Sequence, residues 1–153
     1  MSIALTLPDI CGKAEYPTDG VTKRYIKWYN MYIGKYEKST SKYDEDMPYL
    51  RGEVIYNLRN SFLHQGTPNI DKEEIKDINC KIDRFELVFC ENLIGDTSKV
   101  SYNGINFTSN EIVERGYSVN VRLLCVRLCN AVQSYYNENR EKFNFFNYHY
   151  PMN

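Results

Sequence analysis

Apolar positions in the first third of the chain recur at three- and four-residue steps. Val21, Tyr25, Trp28, Tyr29, Tyr32, Ile33 and Tyr36 predict an amphipathic helix from residue 21 to near Lys38. Residues 2–15 predict a shorter helix ahead of it, in which Pro8 is awkward unless it sits in the first turn. Residues 39–42 are polar and read as a loop. A second stripe of Leu50, Val54, Ile55, Leu58, Phe62 and Leu63 predicts a helix over residues 48–65. Pro48 suits its first turn, Gly66 follows as a left-handed cap would, and Pro68 blocks continuation. Residues 71–75 fit one or two further helical turns.

The period then changes. Phe85, Leu87 and Phe89 alternate with Arg84, Glu86 and Val88, which reads as a strand. Asn103-Gly104 is the preferred pair for a two-residue type I′ turn, and Val100, Tyr102, Ile105 and Phe107 flank it. These signals predict an antiparallel meander of about three strands, inserted over residues 83–108. Helical character resumes after residues 108–110, with its main part over residues 118–142. Val121, Leu124, Cys125, Leu128, Val132, Tyr135 and Tyr136 give that helix a broad apolar face. At ~1.5 Å per residue it spans most of a domain, and it is expected to be the central packing helix. Residues 143–153 form an aromatic tail that must dock or expose many rings. The predicted fold class is mainly α: a helical bundle with a small antiparallel β-meander or hairpin before the last long helix. With no repeat or long linker, residues 1–153 read as a single domain.

A chain of 153 residues can bury one core, and its 42% apolar and 14% aromatic content argues against disorder. Lys and Arg number 19 against 20 Asp and Glu, for a net charge of -1. That balance excludes a general nucleic-acid coat, which needs excess positive charge to release counterions. Contact with RNA must then come from a local site. Fourteen Tyr against one Trp suit half-buried faces and interfaces. No apolar run approaches the ~20 residues of a membrane span. The opening MSIALTLPDI lacks a basic start and is broken by Pro8-Asp9, so it reads as part of the fold and not as a signal peptide. Five cysteines (Cys11, Cys80, Cys90, Cys125 and Cys129) without a CxxC pair fit reduced thiols and a cytoplasmic location.

The chain has only two histidines, His64 and His149, and histidine is the residue type to look to first for proton transfer. His149 lies between tyrosines in the tail. His64 closes the second predicted helix within LRNSFLHQG. Helical steps of ~100° put Asn60 and His64 about 40° apart, while Arg59 lies about 140° from His64 and must reach it with its long side chain. A guanidinium, an amide and an imidazole at one helix end suit a phosphate ester: Arg grips phosphoryl oxygens in a fork, and His moves a proton. The same residues also have a plain structural use. A cationic His interacts well with a helix C-terminus, and Arg59 can stand beside the apolar stripe as an ordinary surface residue. Cys125 and Cys129 are i, i+4 on the last helix, but two thiols make a poor zinc set and read as buried apolar cysteines. Residues 44–46 and 72–74 read as solvated charged turns, while Arg122 and Arg127 can snorkel, pair with carboxylates or add charge to a cleft. No metal or cofactor set is predicted.

The segment YLRGEVIYNLRNSFLHQGTPNI, residues 49–70, resembles the HEPN superfamily of small helical domains. Their signature is an Arg, a polar residue, a short spacer and a His near a helix end, matched here by Arg59, Asn60 and His64. Outside that stretch the resemblance rests on helical character, and the β insertion is foreign to the common bundle. The resemblance implies a metal-independent endoribonuclease, often a toxin with an antitoxin partner or an anti-phage effector. It also implies a homodimer whose two motifs share one cleft. His64 would then serve as general base or acid for 2′-OH attack on the adjacent phosphate. Arg59 would stabilise the phosphorane, and Asn60 would orient His64 or a phosphate oxygen. A 2′-OH nucleophile explains cleavage of RNA but not DNA. One branch of such toxins carries a Tyr two residues after the His, where this chain has Gly66. Two readings follow: an RNA-cleaving enzyme, or a non-catalytic nucleotide-binding, RNA-binding or protein-interaction module built on the same cleft.

Overall fold

The structure, a computed structural model, describes residues 1–36, 51–66, 84–89, 98–106 and 111–145. Among these, four α-helices dominate: α1 (Ser2–Glu15), α2 (Val21–Tyr32), α3 (Gly52–Asn60) and α4 (Val121–Glu138). Short 3-10 turns follow α2 at Gly34–Tyr36 and α4 at Arg140–Phe143, and a π-helical turn, Ser61–Gln65, continues α3. No helix of the described residues is long and apolar enough to cross a membrane.

The bundle is organised around α1, not around α4 as its length had suggested. Helices α2, α3 and α4 all pack on α1. Pro8 lies beyond the first turn of α1 and cannot donate to the Ala4 carbonyl. The helix persists because Ala4, Leu5, Pro8 and Cys11 are buried, and tertiary packing outweighs the local penalty. The buried Tyr25 hydroxyl of α2 donates to the Leu5 carbonyl at 2.8 Å, and Arg24 pairs with Asp9 at 2.8 Å. Just past Asp9 the backbones nearly touch. A Cβ at Gly12 would stand 2.8 Å from the Arg24 carbonyl oxygen.

Helix α2 ends at Tyr32, short of the expected Lys38, and tightens into a 3-10 turn at Gly34–Tyr36. Helix α3 starts at Gly52, with Pro48 outside the described residues. One of its orphan amides is met from α2: the Gly52 N–H donates to Asn30 Oδ1 at 2.7 Å, and the Asn30 side-chain amide in turn donates to Glu53 Oε2 at 3.4 Å. A Cβ on Gly52 would meet the Ile26 carbonyl oxygen at 2.8 Å and its Cα at 2.9 Å. Gly52→Ala must therefore spread α2 from α3. The expected loss is about 1–3 kcal/mol, read as a lowered denaturation midpoint with an unchanged slope.

The β region corrects the sequence reading in three ways. Residues Ser98–Asn106 form one uninterrupted strand, β2, through Asn103-Gly104, so the expected type I′ turn is absent there. Residues Glu111–Asn120, expected to open a helical region, form strand β3. The sheet extends to Asn120 and has order β1-β3-β2 with β1 at Arg84–Val88, so it is no antiparallel meander. β3 runs antiparallel to β2, from Ser98↔Val119 to Asn106↔Glu111, and parallel to β1, from Arg84↔Gly116 to Val88↔Asn120. The chain passes from β1 to the far edge and returns through the centre, which makes β1 and β3 parallel. Pairing along nearly all of β3 outcompetes a local turn propensity: Asn103 faces Glu114 and Ile105 faces Ile112. At its end Val119 and Asn120 are buried, and Asn120 Oδ1 caps α4 by accepting the Leu123 N–H at 3.1 Å.

The core joins Leu5, Tyr25, Trp28, Tyr29, Val54, Ile55, Leu58, Leu124, Leu128 and Tyr135. Its aromatic part is continuous. Trp28 stacks on Tyr32 at 5.1 Å and meets Tyr135 edge-on at 5.6 Å, and Tyr135 meets Phe143 at 5.9 Å. The start of the aromatic tail thus docks through Phe143, while residues 146–153 lie outside the described residues. Of the cysteines, Cys11 is buried, and burial pushes its thiol up to about 12. Cys129 is exposed and Cys125 half-buried, against the expectation that both are buried, because the buried stripe of α4 runs through Leu124, Leu128 and Tyr135.

A polar clasp closes the bundle. Glu15 Oε2 accepts from the Tyr135 hydroxyl at 2.6 Å and from Lys142 Nζ at 2.7 Å, tying α1 to α4 and to the turn after it. Those two hydrogen bonds, Lys142's first, hold the Glu15 carboxyl below its ordinary value, and the bond to Glu15 raises Lys142 above its own. A lowered carboxylate contributes stability fully above its unfolded value, and that stability is lost as pH falls through the folded one. A raised ammonium contributes fully below its ordinary value and loses the contribution as pH rises through the folded one. Wild type is therefore expected to exceed Glu15→Gln in chemical stability between about pH 5 and 10. Denaturation midpoints of the two proteins should converge toward pH 3; a constant gap across that range contradicts the clasp.

Candidate functional site

Helix α3 crosses α2 antiparallel, since Gly52 meets Ile26 and Asn30 while Tyr56, one turn later, meets Thr22 and Tyr25. Val54, Ile55 and Leu58 bury one face of α3. Arg59 and Asn60, the last two residues of the helix, are half-buried at its edge, and His64 is exposed in the turn beyond. The apolar stripe therefore fixes the helix, and the polar trio is what its C-terminal rim presents.

The α-helical bonding pattern gives way at Ser61, which is buried. Residues Ser61–Gln65 form a π-type turn, although the Ser61 N–H itself still reaches the Asn57 and Leu58 carbonyls. The turn ends as expected at Gly66, whose φ of 69° and ψ of 8° are the left-handed cap.

Arg59 is held on its inner side. Its Nη1 donates to Asn60 Oδ1 at 2.8 Å, and its guanidinium carbon lies 5.8 Å from the centre of the Tyr56 ring. Arg59 Nε is sealed from solvent without a hydrogen-bond partner among the described residues. Tyr56 is itself fixed: its hydroxyl accepts from Thr22 Oγ1 at 2.9 Å, and its ring meets Tyr25 edge-on at 5.2 Å. Burial pushes the Tyr25 phenol far up, against a smaller opposing effect of the nearby Arg59 charge. The structure joins Arg59 with Asn60, a pairing the sequence did not single out, and leaves His64 open to solvent with no hydrogen bond to either among the described residues. A half-buried guanidinium with a braced inner edge can grip an anion, and an exposed imidazole can exchange a proton.

Sequence reasoning missed Tyr56 and Thr22. Tyr56 lies three residues before Arg59 and four before Asn60, the spacings at which helical side chains meet, and that was the available signal. Of the other candidates, Arg122 is exposed and Arg127 is half-buried and lines a cavity of about 310 Å³ with Tyr32, Ile33, Tyr36, Asn130 and Ala131. His149, Cys80, Cys90 and the charged runs at 44–46 and 72–74 lie outside the described residues. No group of three or more His, Cys, Asp or Glu that could hold a metal ion occurs among the described residues. No family model, curated protein or solved structure matches the chain.

Proposed function

We propose that the protein is a metal-independent endoribonuclease of the HEPN type, acting through Arg59, Asn60 and His64. The observation that carries this reading is the rim of α3: a guanidinium hydrogen-bonded to the adjacent amide, with a solvent-open imidazole one turn on. An Arg buried in a salt bridge, or a His sealed in the core, would serve stability and not chemistry. Neither describes this trio.

In the proposed reaction His64 takes the proton of a ribose 2′-OH as that oxygen attacks the adjacent phosphorus. The 5′-oxygen of the next nucleotide departs as a hydroxyl, protonated by the second His64 of a homodimer or by water. Arg59 lies against the non-bridging oxygens as negative charge concentrates there. Asn60, whose Oδ1 is occupied by Arg59, positions that guanidinium. Leu63, 40% exposed beside His64, would be covered where two copies share the cleft. A toxin or anti-phage role, with an antitoxin partner, belongs to the same proposal.

The chemistry predicts its own products. Purified protein incubated with RNA in excess chelator should leave 2′,3′-cyclic phosphate and 5′-hydroxyl ends, and should spare DNA and 2′-O-methyl RNA of the same sequence. Products with 5′-phosphate ends, or cleavage of the 2′-O-methyl strand, would rule the mechanism out.

A further inference from the structure

Helix α1 packs on α4, and the Glu15 clasp joins their C-terminal ends. Around α1, Asp9 and Gly12 face α2, and Glu15 faces α4. At ~100° per residue the next sector round holds Ile3, Leu7, Ile10 and Ala14. Around α4, Arg127 and Asn130 face the cavity beside α2, and Tyr135 faces α1. The next sector there holds Cys125, Cys129, Val132 and Tyr136. Both sets repeat in steps of four, three and four residues, the spacing of a packing seam. They flank one furrow on the outer side of the α1–α4 pair. Ile3 is 81% and Tyr136 42% exposed there, and Cys129 is exposed too. We infer that residues 146–153 of the same chain fill this furrow as an extended segment.

The chain arrives at one end of the furrow. Phe143 meets Tyr136 edge-on at 5.0 Å, and Phe145 stacks on Phe143 at 6.1 Å. The length fits. Positions 3 to 14 span about 16 Å at ~1.5 Å per residue, and the next eight residues, extended, reach about 26 Å at ~3.3 Å each. The pattern fits as well. Phe146, Tyr148, Tyr150 and Met152 alternate with Asn147, His149, Pro151 and Asn153. An extended segment with that alternation turns its apolar edge to the helices and its more polar edge to water. A second copy suits the furrow less well. Roughly 16 Å by 20 Å of two-helix surface falls short of the ~800 Å² per partner of a standard interface. A segment tethered at the furrow's end instead has an effective concentration on the order of millimolar. No residue of the α3 rim takes part, so the inference stands apart from the nuclease reading.

Cys129, on the furrow's edge, is a built-in reporter. Iodoacetamide labelling of the full chain, read at Cys129 by peptide mass spectrometry, should run at least tenfold slower in buffer than in urea. That protection should not change with protein concentration. A triple variant, Phe146→Ser, Tyr148→Ser and Tyr150→Ser, checked for folding by circular dichroism, should label at least fivefold faster than wild type. Ile3→Asp, at an exposed position that leaves the core intact, should label faster as well and carries the test if the triple variant misfolds. Cys129 labelling as fast in folded wild type as in urea would overturn the inference. Protection that survives in the folded variants, as another segment would give, or that grows with protein concentration, as a second copy would give, would overturn it too.

Discussion

Trp28→Ala should lower the unfolding free energy by about 3–5 kcal/mol, a large part of what a domain of this size possesses. The indole is fully buried and touches three elements at once: its own helix through Tyr32, α4 through Tyr135, and the shared core. Truncation would leave a cavity that these rings, each held by other contacts, cannot close. Trp28→Phe separates packing from polarity. The Trp28 Nε1 has no hydrogen-bond partner among the described residues, so phenylalanine forfeits volume but no hydrogen bond. The expected loss is then less than half that of alanine. Far-UV circular dichroism in urea measures both. An alanine variant within about 1 kcal/mol of wild type would show that the aromatic ladder is not the centre of the core.

The second large effect is on chemistry. On the proposed mechanism His64→Ala should reduce RNA cleavage by about 10²–10⁴-fold, the usual contribution of a placed acid or base. Its exposure means that stability should hardly change, since surface substitutions usually stay within about 0.5 kcal/mol. Arg59→Ala should lose cleavage to a similar degree and some stability as well, because its side chain covers Tyr56 and bonds Asn60. Tyr56→Phe keeps the ring under the guanidinium and should retain most activity, whereas Tyr56→Leu should not. Two variants of equal rate would show that the ring does not position Arg59.

The helices were legible where burial is one-sided. Tyr25, Trp28, Tyr29, Val54, Ile55 and Leu58 stand at helical spacing and are fully buried, so period alone found α2 and α3. Gly66 was legible because a left-handed residue after a helix is a local requirement. The sheet was not. Asn103-Gly104 favours a turn in isolation, but the chain gains more by pairing residues 98–106 against β3, a choice made by partners that local pattern does not show. Strand β3 was read as helix for the same reason: Ile112, Val113, Tyr117 and Val119 fit either period until β1 and β2 flank them. The central role of α1 was hidden because Pro8 argued against a helix whose stability comes from its neighbours. At the site, residue types identified Arg59, Asn60 and His64. The Tyr56 platform under Arg59 depends on packing against α2 that spacing cannot encode, and the π-type turn after Asn60 leaves no mark in the helical period.

One assay bears most directly on the proposed ribonuclease. Wild type and His64→Ala, matched for folding by circular dichroism, are incubated with a pool of structured and unstructured RNAs in excess chelator. Wild type should cut and the variant should leave the RNA intact at equal concentration and time. Intact RNA with both proteins, or equal cutting by both, would contradict the proposal that the end of α3 is a catalytic site.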